Sequence, residues 1–214
     1  MRIAAGVHPH NAKSYDEQME RFLVRLLHDK RVSAIGEVGL DYHYDLSPRD
    51  VQRDVFRRQV QLAHESGLPL ILHMREAHDD GFRILEEEGF PEAGVLLHCF
   101  NLDSEELARW VEKDCYIAFG GPLTFKKADY VREAALKVPR ERLLTETDAP
   151  YMTPEPLRGT TCGPEHVIWT AEKLAEVYQV EPSERPLFLR EIYLNAIALL
   201  DRPATPWQLE EIAE

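Results

Sequence analysis

The sequence predicts a parallel α/β fold, and three observations point to it. Short apolar runs alternate with amphipathic stretches along the whole chain. The runs are apolar throughout rather than alternately apolar and polar, as strands covered on both faces require. Four runs lead directly into a residue able to ligate a metal: Glu37, His73, His98 and Asp148. Groups in such positions lie where parallel α/β folds place their chemistry, at the carboxyl ends of strands.

The elements follow in order. Ile3–Val7 is an apolar run before His8-Pro9-His10. Ser14 is placed to cap a helix with Met19, Phe22, Leu23, Leu26 and Leu27 on one face. Val32–Ile35 forms a strand entering Gly36 and Glu37. Ser47-Pro48 opens a second helix with Val51, Val55, Phe56, Gln59, Leu62 and Ala63 on one side, stopped by Gly67. The strand Leu68–Leu72 then ends in His73.

A helix over about Ala77–Glu88 and a strand Gly94–Leu97 lead to His98, and Ser104–Lys113 is helical. Tyr116–Phe119 is a strand, Tyr130–Val138 a helix, and Leu143–Thr145 a strand that runs into Glu146, Thr147 and Asp148. A Pro-rich loop, Pro150–Pro164, precedes two helices over about Glu165–Tyr178 and Ser183–Leu200. The 214 residues read as one domain, 1–214, with a peripheral tail over 200–214.

The composition narrows the function. A net charge of −13 argues against a surface that coats nucleic acid, which needs a basic stripe. It leaves room for an enzyme that meets phosphates through divalent cations, which bring their own positive charge. No run approaches the roughly 20 apolar residues of a membrane span, and the N-terminus lacks the pattern of a signal peptide. Cys99, Cys115 and Cys162 lack paired spacing, which reads as reduced thiols in a cytoplasmic protein.

Imidazoles and carboxylates are ligands for divalent transition metals. A single strand-end histidine is more often a satisfied polar residue, and a single strand-end acid is often a helix cap. Four such residues at successive strand ends are harder to assign to chance. Glu37, with two oxygens, can bridge two ions; Asp148 can ligate and take a proton from water.

The motifs G-V-H-P-H (Gly6–His10), I-G-E-V-G-L-D-Y-H (Ile35–His43), L-P-L-I-L-H-M-R (Leu68–Arg75), L-H-C-F (Leu97–Phe100), G-G-P-L-T-F (Gly120–Phe125) and E-T-D-A-P-Y-M-T-P (Glu146–Pro154) occur in one order over nearly the whole chain. In this the chain resembles the TatD family of metal-dependent deoxyribonucleases, within the amidohydrolase-like hydrolases. The resemblance implies a TIM-type (β/α)8 barrel and hydrolysis of DNA phosphodiesters, typically as a 3′-to-5′ exonuclease on single strands or 3′ ends.

It further implies one or two divalent ions (Mg, Mn or Zn). Glu37 matches the bridging carboxylate, His73 and His98 the ligands of one metal, and Asp148 the ligand of the other and the general base. His8 matches a histidine near the substrate phosphate, and Glu146 tunes water or substrate. Arg75, Lys126 and Arg158 are candidate phosphate contacts, His43 lines the mouth or packs, and Cys99 faces the core. His28, His64, His78 and His166 are read as solvated or capping.

Two departures from the family pattern stand out. The D-x-H-x-H strand that opens the family has no counterpart before Gly6, so about six of the eight βα units are expected. The Glu37, His73 and His98 site keeps three ligands and should bind metal more tightly than the site of Asp148. Either a true start lies upstream, or the open edges pair in a homodimer. Cys162 stands near the family's usual asparagine in R-G-T-T-C-G-P (Arg158–Pro164). Amide, lactone or ester hydrolysis on the same scaffold, and a non-catalytic remnant, are the rival readings.

Overall fold

The computed structural model describes residues 1–210. The chain divides into two compact units, Met1–Leu96 together with the chain from Ala198, and Leu97–Ile197.

The first unit holds β1 (Ile3–Ala5), α1 (Glu17–Leu27), β2 (Val32–Asp41), α2 (Arg49–Ser66), β3 (Leu70–Arg75), α3 (His78–Glu88) and β4 (Val95–Leu97), which runs to the unit boundary. Its strands lie in the order β1-β2-β3-β4. The β1–β2 and β2–β3 pairs are parallel, in agreement with the all-apolar strand pattern. Ile35, Leu40, Phe56, Leu62, Leu70, Leu72, Ile84 and Leu85 are fully buried.

Helix α1 is capped by Asp16, whose Oδ1 accepts from the Met19 N–H at 2.8 Å, and not by Ser14. Of its expected apolar face only Leu23 and Leu27 are buried; Phe22 and Leu26 are exposed. Helix α2 ends as expected at Gly67, which adopts the left-handed conformation at φ 66°.

β2 is the longest strand and differs most from expectation. It does not stop at Ile35 but continues for ten residues to Asp41, with a register shift against β3 between Ile35 and Val38. Glu37 therefore lies inside a strand rather than after one. Likewise β3 runs through His73 to Arg75. Gly39 pairs with His73 and has φ 135°. A Cβ there would stand 2.2 Å from the His73 carbonyl oxygen, so only glycine lets the two strands approach at this point.

Two buried glutamines of α2 complete hydrogen bonds that the strands leave open. Gln59 Oε1 accepts from the Val7 N–H at 2.6 Å, and its Nε2 donates to the Val7 carbonyl at 3.0 Å. Gln52 accepts from the Asp41 N–H at 2.8 Å and donates to the carbonyls of Asp41 and Ser47. The helix thus holds the chain just past β1 and the end of β2, where buried backbone groups must otherwise go unpaired.

Gln208 is buried and donates to the carbonyls of Leu27 and Val32 at 2.8 and 3.0 Å, and Trp207 stacks on His28 with centroids 3.7 Å apart. Residues 211–214 of the expected tail lie outside the described residues.

The second unit holds α4 (Ser104–Glu112), β5 (Tyr116–Phe119), α5 (Asp129–Ala135), β6 (Leu143–Thr145), α6 (Val167–Val177) and α7 (Arg185–Leu200) up to Ile197. β5 and β6 pair in parallel and match the expected strands residue for residue. Trp110, Phe119, Leu143, Leu174 and Phe188 are buried. Tyr178 donates its hydroxyl to the Ala135 and Val138 carbonyls, pinning the end of α6 to the end of α5.

Replacing Gln59 by leucine strands both backbone groups of Val7 in a buried place. The expected loss is about 2–4 kcal/mol of stability, read as a lower urea midpoint with an unchanged m-value.

Candidate metal centre

In the first unit Glu37, His8, His10, His73 and Asp41 meet along β2 and β3. His8 is the residue that precedes a short 3-10 helix, Pro9–Ser14, and its Nδ1 accepts from the His10 N–H at 3.2 Å. This turn brings both histidines back over the strands. The His8 ring stands edge-on to His10 and His73, with centroids 4.3 and 4.5 Å away. His8 Nε2 lies 3.5 Å from Glu37 Oε2. One ligating atom each of His8, His10 and His73 falls within 4.8 Å of the others.

Asp41 sits beneath this group with no exposed surface. Its Oδ2 pairs with His10 Nε2 at 2.8 Å and His73 Nε2 at 3.0 Å. Its Oδ1 accepts from the N–H groups of His43 and Tyr44 at 3.0 and 2.8 Å. Burial pushes its pKa up, but the hydrogen bonds of Tyr44, His10 and His73 outweigh that and hold it below the ordinary carboxylate value. The His8 pKa is lowered too, which in a base favours the neutral form: burial first, then the neighbouring His73, bring it down to about 4. The ring is therefore neutral at pH 7, the form that can ligate a metal.

The second unit carries the other expected donors. His98 follows β4 directly, and its Nδ1 lies 3.3 Å from Glu146 Oε1. Glu146, expected to tune water or substrate, is thus the partner of a ligand candidate. Its backbone N–H donates to the Phe119 carbonyl and continues the β5–β6 register past β6. Asp148 lies three residues beyond β6 at φ 58°, a left-handed turn.

The other sequence candidates fall as follows. Arg75 places its guanidinium over the Tyr44 ring at 4.7 Å, and Arg158 over the Phe125 ring at 3.9 Å. Lys126 is exposed. His43 bonds to Glu76 at 2.7 Å. His28, His64 and His166 make local hydrogen bonds to the Val24 and Gly89 carbonyls and the Gly163 N–H, in keeping with capping roles. Cys99 does not lie on a strand facing the core; it is half-buried, past the end of β4, at φ 47°. Cys162 is buried and its Sγ donates to the Thr147 carbonyl, which ties the Pro-rich loop to the segment of Asp148.

Sequence reasoning passed over Asp41 and His10. The signal was present: an acid closing an apolar run, and a second histidine one turn residue after His8.

The donor set suits a divalent cation. It offers imidazoles and a carboxylate, and a buried acid backs two of the rings, the arrangement that orients histidine ligands.

Comparison with known proteins follows the same line. Residues 1–196 match the family described as TatD related DNase. The chain belongs to this family. It is 42% identical over 177 residues to the Bacillus subtilis uncharacterized metal-dependent hydrolase YabD, covering 83% of this chain and 69% of the relative. It is 39% identical over 183 residues to YcfH of Escherichia coli K12, likewise an uncharacterized metal-dependent hydrolase, covering 85% and 68%. The crystal structure of YjjV, a TatD homolog from Escherichia coli, superposes with a TM-score of 0.85 at 29% identity, over 94% of this chain and 77% of that one.

The fold class is accordingly that of the TatD proteins, an α/β arrangement with six strands among the described residues. The chain is a TatD-family metal-dependent hydrolase by descent, with histidine and carboxylate groups able to hold metal ions. No helix among the described residues is long and apolar enough to cross a membrane.

The depressed His8 pKa has a consequence for stability. Between pH 6.5 and about 4 the unfolded chain takes up a proton on His8 that the native state refuses, so stability falls as pH falls through this window. In metal-free protein, His8→Gln should flatten the pH dependence of the urea midpoint there.

Proposed function

We propose that the protein hydrolyses phosphodiester bonds of DNA, as a 3′-to-5′ exonuclease acting on single strands or 3′ ends, with one or two divalent ions (Mg, Mn or Zn). The observation that carries this reading is the family match over residues 1–196, joined to the imidazole and carboxylate cluster on β2 and β3. Glu37, His73 and His98 are the proposed ligands of one ion. Glu37 and Asp148 are the proposed ligands of the other.

A bound divalent ion would supply Lewis-acid polarisation of a phosphoryl group. The chain's own residues do the rest. Asp148 accepts the proton of the attacking water. His8, neutral at pH 7 and 24% exposed, offers a hydrogen bond to a phosphate oxygen without an added charge. Glu146 holds His98 by its Nδ1. Arg75 and Arg158, each seated on an aromatic ring, are proposed phosphate contacts; their planar guanidinium groups suit the two oxygens of a phosphodiester.

The test uses a single-stranded oligonucleotide labelled at its 5′ end. With manganese the protein should shorten it stepwise from the 3′ end, and a chelator should stop the reaction. Glu37→Gln and Asp148→Asn should each slow it at least about a hundredfold. Turnover of a lactone or aryl ester, with the oligonucleotide untouched, would replace this reading by carbonyl chemistry on the same residues.

A further inference from the structure

The buried acid of the first unit is one that the proposed chemistry does not use. Asp41 is fully buried. An ionised carboxylate has about four acceptor positions and no donor. Here all four are taken, by His10 Nε2, His73 Nε2, His43 N–H and Tyr44 N–H. Saturated in this way, Asp41 has nothing left with which to ligate a cation itself. Its backbone is held in turn by Gln52, so the carboxylate cannot swing toward the surface.

We propose that Asp41 is a positioning residue that holds His73 as the Nε2–H tautomer, so that His73 ligates metal through Nδ1. The chemistry is one of polarity. Because the carboxylate can only accept, the Nε2 atoms that meet it on His73 and on His10 carry the hydrogens. A neutral imidazole has a single N–H, so the lone pair of each ring then resides on Nδ1. His73 lies at the strand position opposite Gly39, where the missing Cβ lets β3 come close enough for its ring to reach Asp41 two residues further along β2. His10 shares the same oxygen, so the turn over Pro9–Ser14 and the β3 ring are held by one carboxylate. This inference rests on the reading of His73 as a metal ligand.

The test pairs a spectroscopic readout with a binding one. In uniformly nitrogen-15 labelled, metal-free protein at pH 7, long-range proton–nitrogen correlation assigns the protonated nitrogen of each ring. His73 and His10 are expected to show Nε2–H. Asp41→Asn keeps the shape but turns an amide N–H toward the rings. It should shift His73 to the Nδ1–H form and weaken zinc binding, titrated with zinc alone, by about 10–100-fold.

A wild-type His73 with its hydrogen on Nδ1 would overturn the proposal, and that measurement needs no variant to fold. A folded Asp41→Asn protein that binds zinc as tightly as wild type would also overturn it. A wild-type protein with Nε2–H on His73 but no zinc binding would support the ring's positioning and overturn its reading as a metal ligand, so the two failures are told apart.

Discussion

A carboxylate removed from water must be matched with donors or be neutralised. Asp41 is matched completely, and much of the first unit is arranged so that it can be. The turn after β2 supplies two backbone N–H groups, the turn after His8 supplies one imidazole, and β3 supplies another. The result is a rigid joint between three segments distant in sequence. Each oxygen serves two donors, so loss of any one segment leaves the buried charge less fully compensated.

Helix α2 is the support for that joint. Its apolar side packs through Val55, Phe56, Val60 and Leu62, as an amphipathic helix should. Two of its buried positions are glutamines, which an apolar-stripe argument would assign to aliphatic residues. Gln59 and Gln52 each pair with both backbone groups of a single residue, Val7 and Asp41 respectively. They act as short pieces of strand edge supplied by a helix. In this way the helix that packs the sheet also sets where His8 and Asp41 stand.

Acid–base character follows from the same arrangement. His8 is surrounded by two other imidazoles and partly buried, and both conditions disfavour a positive charge. Asp41 is kept ionised by its donors despite burial. Neutral ring above and anionic acid below is the charge pattern that a cation site requires, since a protonated imidazole competes with the metal. In the second unit Glu146 stands to His98 somewhat as Asp41 stands to His73, though with partial exposure and a longer 3.3 Å contact.

The sequence by itself determined the parallel α/β class, the element order, β5 and β6 to the residue, the αL stop at Gly67 and the family. These are carried by local periodicity, glycine and proline chemistry, and motifs read along the chain. It did not determine that β2 runs through Glu37 to Asp41, because whether Gly36 and Gly39 break a strand or admit a close neighbour depends on what lies beside them. It did not show that Phe22 and Leu26 face outward, that Asp16 caps α1, or that Gln208 is drawn into the core by the carbonyls of Leu27 and Val32. Nor did it single out Asp41 and His10. Their roles arise from bonds across 31 and 32 residues of chain, and only the tertiary structure, by bringing β3 against β2, decides which acid meets which imidazole.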